Sequence, residues 1–217
     1  MEPQKFALVT GGSEGVGFAI AQMLHRHGFF ILLVARNSEK LVAAKQMLGG
    51  DHVAVFSADV TELSDIQRLY TEIEAVTGGV DVLVNSAGTF KWDNSGVDLM
   101  LLNAKSKEFV THTFTPLFES GAIVINVSSQ AALFSDEDPR RVGEVEYVES
   151  MRRVDKFSAD FARENPQVRV FVSHPPLMKG KIAEEQFRGR AGFEGIDFDS
   201  LPGPEIVAEE IEQKFFC

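Results

Sequence analysis

Phe6-Ala7-Leu8-Val9-Thr10, followed at once by Gly11-Gly12-Ser13-Glu14-Gly15-Val16-Gly17, is the stretch that decides the fold. A short apolar run passes directly into a segment with Ala19, Ile20, Met23 and Leu24 at helical spacing, so a strand enters a helix (residues 15–27) through a glycine-rich turn. In such a turn Gly11 permits the tight bend, Gly15 lets backbone N–H groups approach a pyrophosphate, and Gly17 lets the helix pack closely on the strand. The start of that helix offers unpaired N–H groups to an anion. Glycines at this spacing also occur in ordinary strand–helix turns, so the rest of the chain must decide between the two.

Moving outward, apolar runs at 29–35, 53–57, 80–84, 122–127 and 168–172 read as further strands. Between them lie amphipathic segments. The first begins at Ser38 as its cap, points Leu41, Val42 and Leu48 inward and stops at Gly49-Gly50; the second covers 64–76 with Ile66, Leu69, Ile73 and Val76 inward. Helices are also expected over 97–118, 145–164 and 204–215. This alternation predicts an α/β fold: a doubly wound parallel sheet of six strands in the order 3-2-1-4-5-6, with the site at the carboxyl ends of the strands. No linker or repeat divides residues 1–217, so one domain is expected. The stretches 89–96, 130–144 and 175–202 are long enough as loops to be functional.

The 217 residues are 44% hydrophobic and 24% charged, with 21 Lys and Arg against 32 Asp and Glu for a net charge of −11. That sign argues against a general nucleic-acid surface. The lone cysteine, Cys217, excludes an intrachain disulfide, and no apolar run is long enough for a membrane span. No signal peptide precedes the first strand, so a cytoplasmic protein is expected. No Cys/His/carboxylate spacing suggests a metal. His25 and His27 fit roles at a helix end, His112 lies mid-helix, and His174 and the loop aromatics Phe90 and Trp92 are candidates for a pocket wall.

Further motifs follow in order. Asp59-Val60 closes the third strand, Asn85-Ser86-Ala87-Gly88 the fourth, Asn103 lies in the next helix, and Ile125-Asn126-Val127-Ser128-Ser129 closes the fifth. Together with the glycine turn they resemble the short-chain dehydrogenase/reductase family, from Phe6 to about Phe216. The resemblance implies a dinucleotide cofactor bound by Gly11, Ser13, Glu14, Gly15, Val16 and Gly17, with Asp59 and Val60 at the adenine. Asn85, Ala87 and Gly88 would line the cofactor, and Pro175 would lie beside the nicotinamide. NAD-preferring members carry an acid after the second strand; here Ala35-Arg36 occupies that place, and an Arg suits a 2′-phosphate, so NADP is preferred over NAD. Glu14 stands where many NADP-preferring members have a basic residue.

The family works with an Asn, a Ser, a Tyr and a Lys. Asn103 and Ser129 match the first two. Tyr147-Val148-Glu149-Ser150-Met151 resembles the Y-x-x-S-K helix, with Met151 in place of the Lys. Lys156 lies half a turn round the helix from Tyr147 and reads as a surface charge, while Lys179 or Lys181 could reach in from the next loop. Pro176 replaces a family Gly, and Gly180 a Thr that bonds the nicotinamide amide. The adenosine half of the site is kept and the nicotinamide half is eroded.

A free Tyr titrates near pH 10, and each unit of lowering needs about 1.4 kcal/mol. Without the Lys, alcohol oxidation lacks its tyrosinate base, whereas carbonyl reduction can still use a neutral phenol. The leading expectation is an NADP-dependent reductase of a small carbonyl compound, with Tyr147 as proton donor and Ser129 as oxygen partner. The alternative is a catalytically silent dinucleotide binder, acting as sensor or scaffold. A third reading, a nucleotide- or S-adenosylmethionine-binding domain of another family, fits the glycine turn but not the later motifs. The resemblance also implies a homodimer or homotetramer through helices 97–118 and 145–164.

Overall fold

Alternate residues of each central strand enter two different cores. Ala7, Val9, Ile31, Leu33, Val82, Val84, Ile123 and Ile125 face one side of the sheet, and Leu8, Leu32, Val34, Leu83 and Val124 the other. Both sides are covered, which explains why these strands read as continuous apolar runs. The computed structural model describes residues 3–90, 96–138, 145–179, 187 and 194–217. Trp92, Gly180 and Lys181 lie outside the described residues, so the expectations placed on them are not addressed.

The order of elements is β1 (Phe6–Thr10), α1 (Gly15–Arg26), β2 (Phe30–Ala35), α2 (Ser38–Met47), β3 (Val53–Ser57), α3 (Leu63–Thr77) and β4 (Val80–Asn85). There follow a π-helical turn (Leu101–Lys105) running directly into α4 (Ser106–Phe114), then β5 (Phe118–Val127), α5 (Val145–Glu164), β6 (Arg169–Ser173) and α6 (Glu205–Phe215). The six strands are all parallel in the order β3-β2-β1-β4-β5-β6, as expected. Strand order reverses between β1 and β4, and in such sheets the crevice for a ligand opens there, beyond the carboxyl ends. Helices α1 and α6 pack on the first core, while α3, α4 and α5 cover the second.

Several local expectations are corrected. Asn37, not Ser38, caps α2, its side chain accepting from the Lys40 N–H at 2.9 Å. Val42 and Val76 are 49% and 57% exposed, because Leu41 with Ala44, and Leu69 with Ile73, already fill the buried stripes of their helices. β5 begins four residues early, at Phe118, because a bulge lets the chain pair before and after a break in register with β4. Gly121, at φ +83°, makes that bend.

One buried polar chain ties the second core together. Asn85 and Asn126 are register partners on β4 and β5, both fully buried. The Asn85 amide donates to Asn126 Oδ1 and to Thr111 Oγ1 of α4, each at 2.9 Å. Asn126 donates onward to Ser158 Oγ of α5 at 2.8 Å. Asn126→Ala leaves donors and acceptors of three elements unsatisfied, so a loss of about 2–4 kcal/mol is expected. Urea denaturation measures it, with Val42→Ala as an exposed control that stays within about 0.5 kcal/mol.

Candidate active site

The glycine turn is built by steric exclusion as well as by freedom of rotation. Gly11 has φ +67°, and a Cβ there would stand 2.7 Å from the Ala87 nitrogen, so the turn lies directly on the backbone after β4. Gly17 faces the Gly11 carbonyl in the same way, which is the close packing its position suggested. Gly12, given no role from sequence, is equally constrained, since a side chain would meet Leu33 and the Val9 carbonyl. Gly15, at φ +59°, has open space around it. Glu14 makes no side-chain cap and no acidic residue occupies the first turn of α1. The leading N–H groups of α1 are thus open to an anion, and this end of the crevice fits a dinucleotide pyrophosphate, with Ser13, Glu14, Gly15 and Val16 at its rim.

At the β2–β3 end, Arg36 is exposed and its guanidinium lies 3.7 Å from Asp59 Oδ2. Asp59 Oδ1 accepts from both the N–H and hydroxyl of Thr61, fixing the turn that carries Val60. The Asp59 N–H donates to Asp65, whose carboxyl it holds below the usual range, helped by Arg68. Lys40 was missed by the sequence reading. Its ammonium bonds both oxygens of Glu14 at 2.9 Å, so the acid that counted against a 2′-phosphate is neutralised by a base beside Arg36's strand end.

The other end of the crevice gathers the reactive hydroxyls. Ser129 caps the short helical turn Gln130–Leu133, its Oγ accepting from the Ala131 N–H at 3.2 Å. Tyr147 sits in the first turn of α5, edge-on to Phe90 at 4.8 Å. Phe90 stacks on Phe187, and together with Leu177, Ile196, Phe198 and Leu201 they form an apolar wall. Asn103 is fully buried, and its amide is occupied: Oδ1 accepts from the Thr89 N–H, while Nδ2 donates to the Thr89 carbonyl and to Ser150 Oγ. Ser150 in turn donates to the Tyr147 carbonyl, so Asn103 and Tyr147 are joined through one hydroxyl. With its side chain committed to Thr89 and Ser150, Asn103 is poorly placed to anchor a relay water through that amide.

Met151 is 4% exposed, and its carbonyl accepts from Ser128 Oγ, which binds the strand end carrying Ser129 to α5. Arg152, also missed, clamps the segment after Ser129 by donating to the carbonyls of Ala132 and Phe134 and to Asp136. Pro175 is buried, and its carbonyl accepts from the Gln130 N–H. His174 bonds Asp155 of α5 at 2.9 Å. Lys156 pairs with Asp160 on the surface, as its helical position indicated.

The residue that sequence reasoning most plainly missed is Lys107. It is 2% exposed, and its ammonium donates to the Ala87 carbonyl at 2.5 Å, 3.7 Å from where a Gly88 Cβ would stand. No carboxylate among the described residues pairs with it, and burial alone pushes its pKa down to about 7. The available signal was spacing: Lys107 lies four residues after Asn103 and four before Thr111, on the stripe that also buries Val110 and Phe114.

A family model for short chain dehydrogenase matches residues 5–191. The chain is 33% identical over 198 residues to a human 3-oxoacyl-[acyl-carrier-protein] reductase, spanning 83% of this chain and 78% of that one. It is 32% identical over 138 residues to an uncharacterised oxidoreductase of Staphylococcus aureus, 58% of each chain. Among solved structures, an alcohol dehydrogenase of Thermococcus sibiricus complexed with 5-hydroxy-NADP superposes with a TM-score of 0.78 at 21% identity, over 99% of this chain and 92% of that one. Actinorhodin polyketide ketoreductase with NADPH gives 0.81 at 20% identity, over 97% and 89%. The chain belongs to the short-chain dehydrogenase family. Among the described residues no group of acidic, His or Cys side chains is placed to hold a metal, and no helix is long and apolar enough to cross a membrane.

The buried amine has a thermodynamic consequence. Its folded pKa lies below its unfolded one, so between about pH 7 and 10 the unfolded chain binds more protons and stability rises with pH through this group. Lys107→Met removes that slope. Its stability relative to wild type, from urea melts at pH 7 and pH 10, should fall by roughly 2–4 kcal/mol across the interval.

Proposed function

We propose that this protein is an NADP-linked oxidoreductase that reduces a small carbonyl compound with an apolar body. The observation that carries the reading is the shared crevice. The uncapped start of α1 and the Arg36–Lys40 cations lie at one end, and Ser129 and Tyr147 at the other. The reduced dinucleotide, when bound, supplies the hydride to the carbonyl carbon. Ser129 donates a hydrogen bond to the carbonyl oxygen, and Tyr147 then gives that oxygen its proton. Ser128 and Arg152 act as positioning residues that hold the Ser129 segment against α5. Phe90, Phe187 and their apolar neighbours exclude water and favour an aliphatic or aromatic substituent. The human 3-oxoacyl reductase among the relatives makes 3-oxoacyl thioesters the first substrates to try.

A second reading keeps the binding and drops the chemistry. Met151, buried where the family's Lys would stand, favours a silent dinucleotide binder. Tyr147→Phe separates the two. On the reductase reading it lowers NADPH consumption with a carbonyl panel by about 10²–10⁴-fold and leaves NADPH affinity within about twofold. If wild type binds NADPH and the variant changes no turnover, the silent binder stands. Met151→Lys should raise oxidation of the cognate alcohol more than reduction of the carbonyl, compared as initial rates at one pH.

The resemblance further implies a homodimer through α4 and α5, whose facing rim holds the Glu108–Arg153 pair. Sedimentation at micromolar concentration should give twice the chain mass, and a monomer there would overturn this assembly.

A further inference from the structure

The buried Lys107 is unexplained by anything the fold requires. An ammonium has three donors. The described residues supply one acceptor, the Ala87 carbonyl, and no counter-charge. An apolar side chain would fill the same place at lower cost. The titratable groups on the elements packed around it are engaged elsewhere. Tyr70 of α3 bonds Glu74, Arg153 of α5 bonds Glu108, and Asp155 bonds His174. Lys105 on the π turn is exposed, and Asp98 accepts from the Leu101 N–H. Tyr147 lies at the same strand ends, joined through Ser150 to Asn103, one turn before Lys107.

Its place in the crevice is specific. Ala87, whose carbonyl it holds, is the residue on which Gly11 of the phosphate turn packs. Gly88 above it is exposed, and Asn103 Oδ1 lies 3.0 Å from where its Cβ would be. Only the missing side chain of Gly88 therefore separates the ammonium from the crevice at the reversal point between β1 and β4. On the β2 side of that point lie Arg36 and Asp59; on the β5 side lie Ser129 and Tyr147. Lys107 belongs to the second group.

We propose that Lys107 is the cation of the nicotinamide end of the crevice, entering from α4 beneath Gly88 where Met151 leaves α5 without one. It makes the site prefer the reduced dinucleotide, whose nicotinamide ring is neutral, over the oxidised one, whose ring is positive. The charge of Lys107 opposes a second positive charge nearby in a water-poor site. The burial that lowers its pKa also means that binding the anionic reduced cofactor draws a proton onto it. This inference rests on the dinucleotide-binding reading above.

The test is titration of wild type and Lys107→Met with NADPH, NADP⁺ and adenosine 2′,5′-bisphosphate, which fills only the adenosine half. Calorimetry at pH 8 in two buffers of different ionisation enthalpy counts protons. Wild type should bind NADPH at least tenfold more tightly than NADP⁺ and take up a proton, to an extent approaching one per site. Lys107→Met should lose the uptake and most of the NADPH preference, while its affinity for the bisphosphate stays the same. Equal uptake and equal preference in the two proteins would overturn the proposal, as would a uniform loss for all three ligands. If Lys107→Met does not fold, wild type still decides: no proton uptake with NADPH overturns it. Failure of wild type to bind any of the ligands sinks the dinucleotide reading too, whereas binding without a Lys107 effect sinks this inference alone.

Discussion

The amide of Asn85, shared between Asn126 on the neighbouring strand and Thr111 on α4, is the constraint from which the rest of the site hangs. Both reactive segments leave the sheet within four residues of this pair: Ala87 and Gly88 after Asn85, and Ser128 and Ser129 after Asn126. Their spacing in the crevice is set by a hydrogen bond inside the core rather than by loop packing. Ser158 extends the chain to α5, the helix that carries Tyr147 and Met151. A buried network of this kind is costly if any member is unsatisfied, and so it admits one relative placement of β4, β5, α4 and α5.

Around that frame the charges divide unevenly. The β2 end of the crevice is open, with Arg36, Lys40, Glu14 and Asp59 paired loosely in solvent where screening makes such pairs weak. The β5 end is dry. There an apolar aromatic wall meets Tyr147, and the nearby cation is the unpaired Lys107. A charge in the dry end counts for far more than one at the rim, which is why a single buried lysine can outweigh several exposed ones.

The strand order and the glycine turn were readable because each rests on a local pattern that the fold does not override. Apolar runs mark strands covered on both faces, and Gly11 and Gly17 stand where any Cβ collides with backbone. The misreadings have equally physical causes. Asn37 and Ser38 are adjacent residues of equal capping chemistry, and only geometry chooses between them. Val42 and Val76 border buried stripes whose width the sequence does not specify. Arg152 and Lys107 went unseen because long cationic side chains are ordinarily solvated. One reaches across to carbonyls far from it in sequence, and the other lies under a glycine on a neighbouring strand.

The π turn at Leu101–Lys105 gives the site a particular weakness. It holds one residue more than an α-helical turn would, and Asn103 sits within it while Lys107 and Thr111 follow in the regular helix. Loss of one residue there would restore the ordinary winding and rotate everything downstream by about 100° relative to everything upstream. Thr111 would leave Asn85, Lys107 would leave Ala87, and Phe114 would leave the core, although every side chain involved was still present. Substitutions in this region are therefore absorbed one contact at a time, whereas a single codon lost between Leu101 and Lys105 breaks the scaffold and the chemistry together.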